Sequence, residues 1–163
     1  MTTVWRAKPL LTIIFLIVAL VTGASLSPAS AAESGDWAAL SQGLWGGVIK
    51  TLVVSPNFAA DRTLFAGTLA GGVFRSTDSG QTWQAMNAGL EDRDINALAI
   101  SPSYATDRTI FAGSSQGRLY RSADAGQNWQ IWAQNAAAPL TAIALSPFYQ
   151  SDRTIFAAHA TTE

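Results

Sequence analysis

Ser76-Thr77-Asp78-Ser79-Gly80-Gln81-Thr82-Trp83 and Ser122-Ala123-Asp124-Ala125-Gly126-Gln127-Asn128-Trp129 share the pattern S-x-D-x-G-x-x-W, 46 residues apart. Each octet continues a short apolar run, Val73-Phe74-Arg75-Ser76 or Leu119-Tyr120-Arg121-Ser122, that reads as a strand. The pattern has the chemistry of a hairpin. Its Asp carboxylate can accept backbone N–H groups within the turn, its Gly supplies a positive φ, and its Trp buries a ring against the hairpin base. Two matches in register are a far stronger signal than one.

Working outward from the hairpins, the same step governs the rest of the chain. Ser55-Pro56, Ser101-Pro102 and Ser146-Pro147 recur at 46 and 45 residues, and six residues after each Ser begins Asp-Arg-Thr, at Asp61, Asp107 and Asp152. Aromatics at Phe58, Tyr104 and Tyr149 keep one offset, as do Leu64-Phe65-Ala66, Ile110-Phe111-Ala112 and Ile155-Phe156-Ala157. Trp37, Trp83 and Trp129 hold the 46-residue step. A period in this range, with several short apolar runs in each copy, is that of a four-stranded propeller blade. The innermost strand is expected at Ile49 to Val54, Ile95 to Ile100 and Thr141 to Leu145, apolar because neighbouring blades cover both its faces. Strand two runs from Thr63 to Thr68 and in its copies, where Ala66-Gly67 and Ala112-Gly113 let sheets approach closely. Val73-Phe74 or Leu119-Tyr120 lies in strand three, and strand four starts at Trp83 or Trp129. Gly and Pro interrupt the chain too often for a helical apolar period to survive. The expected fold class is all-β, a β-propeller of four-stranded antiparallel blades, here incomplete at about two and a half blades.

At the two octets the chain resembles the Asp-box or BNR-repeat β-propeller superfamily, which includes the propellers of sialidases, the sortilin ectodomain and photosystem II assembly factors. The resemblance covers about Gly35 to the C-terminus. It implies that Ser76, Asp78, Gly80, Trp83, Ser122, Asp124, Gly126 and Trp129 are a structural staple remote from the active face. The arginine of the sialidase Arg-Ile-Pro motif has no counterpart here, nor does a Tyr-Glu nucleophile pair.

Composition narrows the function classes. Of 163 residues 48% are hydrophobic and 13% charged, so a packed core is expected and disorder is not. Lys+Arg 10 against Asp+Glu 11 builds in no attraction to nucleic acid. With Cys 0 and His 1, disulfides, thiol nucleophiles and Cys/His metal sites are excluded, and no cofactor is assigned. Arg6 and Lys8 precede an apolar run from Leu10 to Val21, and Ala29-Ser30-Ala31 is a small-x-small cleavage pattern. Residues 1–31 therefore read as a signal peptide rather than an anchor, since the run is shorter than the roughly 20 residues of a membrane span. The product is expected outside the cytoplasm, secreted or in the cell envelope, with no stable membrane span after cleavage.

Residues 32–163 then form the N-terminal part of a propeller, with blades at about 47–87 and 94–133 and a partial blade at 140–163. Residues 37–40, at the register of an outer strand, are a candidate closing strand. Two and a half blades cannot close a ring of four to eight, so the chain is expected to be a fragment of a longer propeller, or else to self-assemble or borrow strands.

What repeats is architecture, so function is sought in what does not. The Asp-Arg-Thr copies are read as structural: the aspartates cap the Ser-Pro turn, and Arg62, Arg108 and Arg153 pair with a neighbouring hairpin. The connection from strand four to the next innermost strand differs between copies, and Glu91, Asp92, Arg93 and Asp94 make it the candidate interaction loop. His159 lacks a second metal ligand, Trp132 replaces Met86 on an outer strand, and Trp45 is expected to pack beneath the closing strand. The expected function is an exported, non-catalytic scaffold for a protein partner. The alternative is a glycan-binding or sialidase-like hydrolase whose acids lie in further blades. Intact-mass measurement of the exported product should show loss of the first 31 or 32 residues; a retained Met1 on a membrane-bound product would establish an anchor instead.

Overall fold

The computed structural model describes residues 5–6, 38–39, 41–45, 47–134 and 138–160. The signal-peptide junction near Ala31 and Trp37 lie outside the described residues. Runs of β-branched and aromatic residues of four to six, each ended by Gly, Ser-Pro or Asp, leave room only for short strands. Strands β1 (Trp5–Arg6) and β2 (Ala38–Ala39) come first. The first full blade is β3 (Ile49–Val54), β4 (Leu64–Thr68), β5 (Val73–Ser76) and β6 (Gln84–Ala85); the second is β7 (Ile95–Ile100), β8 (Ile110–Ser114), β9 (Leu119–Ser122) and β10 (Gln130–Ala133). Strands β11 (Leu140–Leu145) and β12 (Ile155–His159) pair as a two-stranded sheet. Both full blades are antiparallel meanders with strands in sequence order. Their registers repeat: Phe65 opposes Arg75 as Phe111 opposes Arg121, and Ala66 opposes Phe74 as Ala112 opposes Tyr120.

Strand β2 has a partner the sequence reading does not anticipate. It pairs antiparallel with β1, Trp5 opposite Ala39 and Arg6 opposite Ala38.

The Ser-Pro connections contain one further departure. Each holds a single helical turn, α1 (Phe58–Asp61), α2 (Tyr104–Asp107) and α3 (Tyr149–Asp152), closed by Arg62, Arg108 or Arg153 in the left-handed region at φ 51°, 51° and 54°. Four residues are too few to leave a helical period in the sequence.

The core lies between blades rather than within one. Phe65 and Val73 of the first blade pack with Leu98, Tyr104, Ile110, Tyr120 and Trp129 of the second, and Phe111 and Leu119 of the second pack with Leu140 and Tyr149. Phe65 meets Tyr104 edge-on at 5.9 Å, and Phe111 meets Tyr149 in the same way at 5.8 Å. Burying one such ring completely contributes about 2 to 3 kcal/mol. Gly67 is needed for this approach: a Cβ there would lie 2.8 Å from Ile95 Cγ2 of the next blade.

The expectation that every innermost strand is covered on both faces holds only for β7, where Ile95, Ala97, Leu98 and Ala99 are all buried. In β3 alternate residues, Lys50, Leu52 and Val54, are exposed, and in β11 Thr141, Ala142 and Ala144 are. Apolar sequence in these strands is a capacity for burial; only an adjoining blade realises it.

A backbone hydrogen bond fixes each full blade to the segment before it. The Trp129 N–H donates to the Ala88 carbonyl at 2.9 Å, and the Trp83 N–H donates to the Gln42 carbonyl at 2.9 Å. Beside each acceptor stands a glycine at φ +84°, Gly89 or Gly43, whose added Cβ would fall 2.1 Å from the Trp129 oxygen or 2.4 Å from the Trp83 oxygen. The recurrence of Gly-Leu at 43–44 and 89–90 thus marks a contact, with Leu90 buried next to it. Gly89→Ala should destabilise the fold by more than about 2 kcal/mol, because a left-handed backbone and a carbonyl clash add. Thermal unfolding checks this, with Ala88→Gly as the neighbouring control; that change should move the melting temperature far less.

Candidate functional site

The loops divide between two ends of the blades, and the sequence motifs sit at one of them. At the hairpin end, Ser76 Oγ donates to Asp78 Oδ1 at 2.7 Å while accepting the Gly80 N–H at 2.8 Å. Asp78 accepts the Thr82 N–H at 2.9 Å and the Thr82 hydroxyl as well. The second octet repeats this: Ser122 Oγ to Asp124 Oδ1 at 2.7 Å, Gly126 N–H to Ser122 Oγ at 2.9 Å, and Asn128 N–H to Asp124 Oδ1 at 2.9 Å. Positive φ is not confined to the glycines. Ser79 (66°) and Gly80 (90°), like Ala125 (62°) and Gly126 (85°), form two successive left-handed residues. Trp83 and Trp129 are buried, and the Trp129 indole donates to the Met86 carbonyl of the preceding blade at 2.8 Å.

Burial acts to raise the Asp78 and Asp124 pKa values, but the hydrogen bonds from Thr82 and Ser76, and from Asn128 and Ser122, outweigh it and hold both carboxyls below the ordinary value.

The Asp-Arg-Thr residues are engaged in the adjoining turns. Asp61 accepts the Ser55 hydroxyl at 2.6 Å and the Thr63 N–H at 2.9 Å; Asp107 does the same with Ser101 and Thr109, and Asp152 with Ser146 and Thr154. The arginines differ from expectation. The Arg62 and Arg108 carbonyls accept the Ser79 and Ala125 N–H groups of their own blade, and the Arg108 and Arg153 guanidinium groups lie over the Tyr104 and Tyr149 rings at 5.7 and 5.6 Å. Spacing of four residues across one helical turn brings each such pair together. The arginine that crosses between blades is Arg75, whose Nη1 donates to the Ala125 carbonyl at 3.1 Å.

At the opposite end, residues 91–94 link the loops of both full blades. The Gly72 N–H donates to the Arg93 carbonyl and the Ser115 N–H to the Asp94 carbonyl. The four candidate residues divide by role. Asp92, its side chain 10% exposed, accepts from Ser114 Oγ at 2.8 Å, Arg118 Nη1 at 2.9 Å and the Tyr120 hydroxyl at 3.1 Å. Asp94 pairs with Lys50 at 2.6 Å, and Lys50 also donates to Asn96 Oδ1. Glu91 lies 3.4 Å from Arg118, and Glu91 and Arg93 are the exposed members. Burial raises the Tyr120 pKa, so its hydroxyl stays protonated. Of the two full blades, only the second has this network. Its partners Ser114, Arg118 and Tyr120 stand at the register of Thr68, Gly72 and Phe74.

Sequence reasoning missed three exposed apolar residues. Trp45, expected to be packed, is 78% exposed. Val48 and Leu69 are also exposed and are joined through the Leu69 N–H to the Val48 carbonyl at 2.9 Å. The available signal was register: Trp45 sits one repeat before Glu91, in the connection that varies. His159 is exposed with Nδ1 3.2 Å from the Ala160 carbonyl, and among the described residues no group of three His, Cys, Asp or Glu could hold a metal ion. Among the same residues no helix is long and apolar enough to cross a membrane.

No protein-family model and no curated protein matches the chain. Among solved structures it is similar to the crystal structure of an ancestral GH74 enzyme, with a TM-score of 0.53 and 23% identity over 61% of this chain. The chain spans 12% of that enzyme. The likeness shows the fold: all-β, with repeated four-stranded propeller blades.

The hairpin geometry sets an acid dependence. Both Asp78 and Asp124 have folded-state pKa values below the free value of 3.8, so their contribution is present above that value and is lost as pH falls through the folded pKa. Stability should decline from about pH 4 downward, and the Asp78→Asn, Asp124→Asn double variant should show a shallower decline in denaturant titrations at each pH. At neutral pH each Asp→Ala change should cost about 1 to 3 kcal/mol.

Proposed function

We propose that this chain belongs to an exported, non-catalytic β-propeller that presents its loop end to a protein partner. The observations that carry the reading are the exposure of Trp45, Val48 and Leu69 in and around the segment that leads into the Lys50–Asp94 ion pair, and the exposure of the charged Glu91 and Arg93. An aromatic anchor with aliphatic neighbours and a charged rim is the composition of a protein-binding hot spot. The bonds at residues 91–94 hold that rim in place before a partner arrives, which lowers the ordering cost of association. Export rests on the basic-apolar-small pattern of the first 31 residues.

The state of the carboxylates supports a non-catalytic reading. Asp61, Asp78, Asp107, Asp124 and Asp152 are bound within repeated turns, Asp92 is held by three donors and Asp94 by Lys50. Glycoside hydrolysis needs two carboxyl groups free to flank a scissile bond at about 5 to 9.5 Å. A glycan-active reading is the alternative, favoured by the likeness to a GH74 enzyme's fold; in that case the acids belong to other blades.

A photoreactive side chain placed at position 48 should yield a defined protein adduct in envelope extracts. The adduct should fall at least about tenfold in the Trp45→Ala, Leu69→Ser variant, the loss typical of a hot-spot anchor. An adduct indifferent to that variant would refute the proposed face. Turnover of a fluorogenic glycoside panel that disappears in Arg62→Ala or Arg108→Ala would establish the glycan-active reading instead.

A further inference from the structure

The Ser-Pro turn between β7 and β8 and the one between β11 and β12 meet across a crevice of about 360 Å³, at the small end of the range for ligand pockets. Ser103 lines it from the first turn, and Pro147, Phe148, Gln150 and Ser151 from the second. Strand β7 separates this crevice from residues 91–94, so the two lie at opposite ends of the blade. Two of the lining residues break the repeat. Phe148 stands where the earlier copies have Asn57 and Ser103, and Gln150 where they have Ala59 and Ala105. Phe148 is 73% exposed. Its register faces solvent in every copy: Asn57 is exposed and Ser103 half-buried, although a further copy of the repeat adjoins each of them.

Hydrogen bonds within the turn fix the backbone that carries the Phe148 ring. Its N–H donates to Ser146 Oγ at 3.1 Å, and its carbonyl accepts the Ser151 N–H at 2.8 Å, the Asp152 N–H at 3.0 Å and the Ser151 hydroxyl at 2.9 Å. Across the junction, Ser103 Oγ donates to Gln150 Oε1 at 3.2 Å. That bond occupies the oxygen of the amide and leaves Gln150 Nε2 with two N–H groups that have no partner among the described residues. The hydroxyl hydrogens of Ser103 and Ser151 are both engaged, and no lining residue is charged. The crevice thus offers two apolar rings, one amide donor and no net charge.

We propose that this crevice binds a proline-rich polypeptide segment in the polyproline II conformation. Such a segment has the complementary chemistry. Proline has no N–H to satisfy, its carbonyls carry no internal hydrogen bonds, and its ring is apolar. One proline ring lies on Phe148 and Pro147 while a carbonyl accepts from Gln150 Nε2, so the peptide buries no polar group that the crevice leaves without a partner. A sugar of similar size brings several hydroxyls onto a wall with a single free donor, and each one left unpaired costs affinity. Both sides are ordered before they meet, the peptide by its fixed φ and Phe148 by its turn, which lowers the entropic cost of a small contact. The site is independent of the partner-binding end proposed above.

The probe is acetylated octaproline, titrated into the nitrogen-15-labelled full chain and followed by amide resonances. Those of Phe148, Gln150 and Ser151 should shift saturably with one-to-one stoichiometry, and those of residues 91–94 should not move. The Kd should rise about tenfold or more in Phe148→Ser, which removes the ring, and in Gln150→Ala, which removes the donor. Serine and alanine are the residues that the preceding copy carries at these registers, Ser103 and Ala105, so both variants should melt close to the parent. Absence of a saturable shift at Phe148, or a Kd unchanged in either variant, would overturn the proposal. Saturable binding of cellotetraose at Phe148 that octaproline does not displace would overturn it as well.

Discussion

One backbone hydrogen bond, from the N–H of a hairpin tryptophan to a carbonyl of the preceding segment, organises the array. It is made by Trp129 to Ala88 and by Trp83 to Gln42, and it brings two main chains so close that only Gly89 and Gly43 fit beside it. Because the indole of Trp129 simultaneously reaches Met86, the second hairpin is pinned at backbone and side chain to the blade before it. The junction so pinned also packs Phe65 on Tyr104; Phe111 packs on Tyr149 in the same edge-on way at the next junction. A blade by itself has two apolar faces and no interior, so the stability of this chain resides at junctions.

That arrangement explains why so many polar groups are committed to turns. Each blade must reverse direction several times within a few residues, and buried or half-buried N–H groups at the reversals need acceptors. The serine and aspartate of the hairpin and the serine and aspartate of the Ser-Pro turn supply them twice or three times over in the same geometry. Carboxylates bound as those of Asp78, Asp124 and Asp152 are sit below their ordinary pKa and are poorly suited to proton transfer near neutral pH. The repeated acids are therefore bound into the turns of the architecture. At the other end the connection at residues 91–94 turns Asp92 inward onto Ser114, Arg118 and Tyr120 and leaves Glu91 and Arg93 exposed.

The amino-acid sequence by itself determined the repeat, the strand order within a blade and the hairpin staple, because each of these rests on local chemistry at a fixed spacing. Phe65, Phe111 and Phe156 show where that legibility stops. They are the same residue at the same register, yet the first two are fully buried and the third is exposed, since burial depends on the blade that adjoins. The roles of Asp92 and Trp45 were hidden for the same reason. Nothing in a run of Glu-Asp-Arg-Asp says which carboxylate turns inward until Arg118 and Tyr120, distant in the chain, are brought beside it. Likewise a lone tryptophan reads as core until the surface is seen to leave it uncovered. Local turn chemistry is written in adjacent residues; coverage is a property of neighbours in space, and only the tertiary structure supplies them.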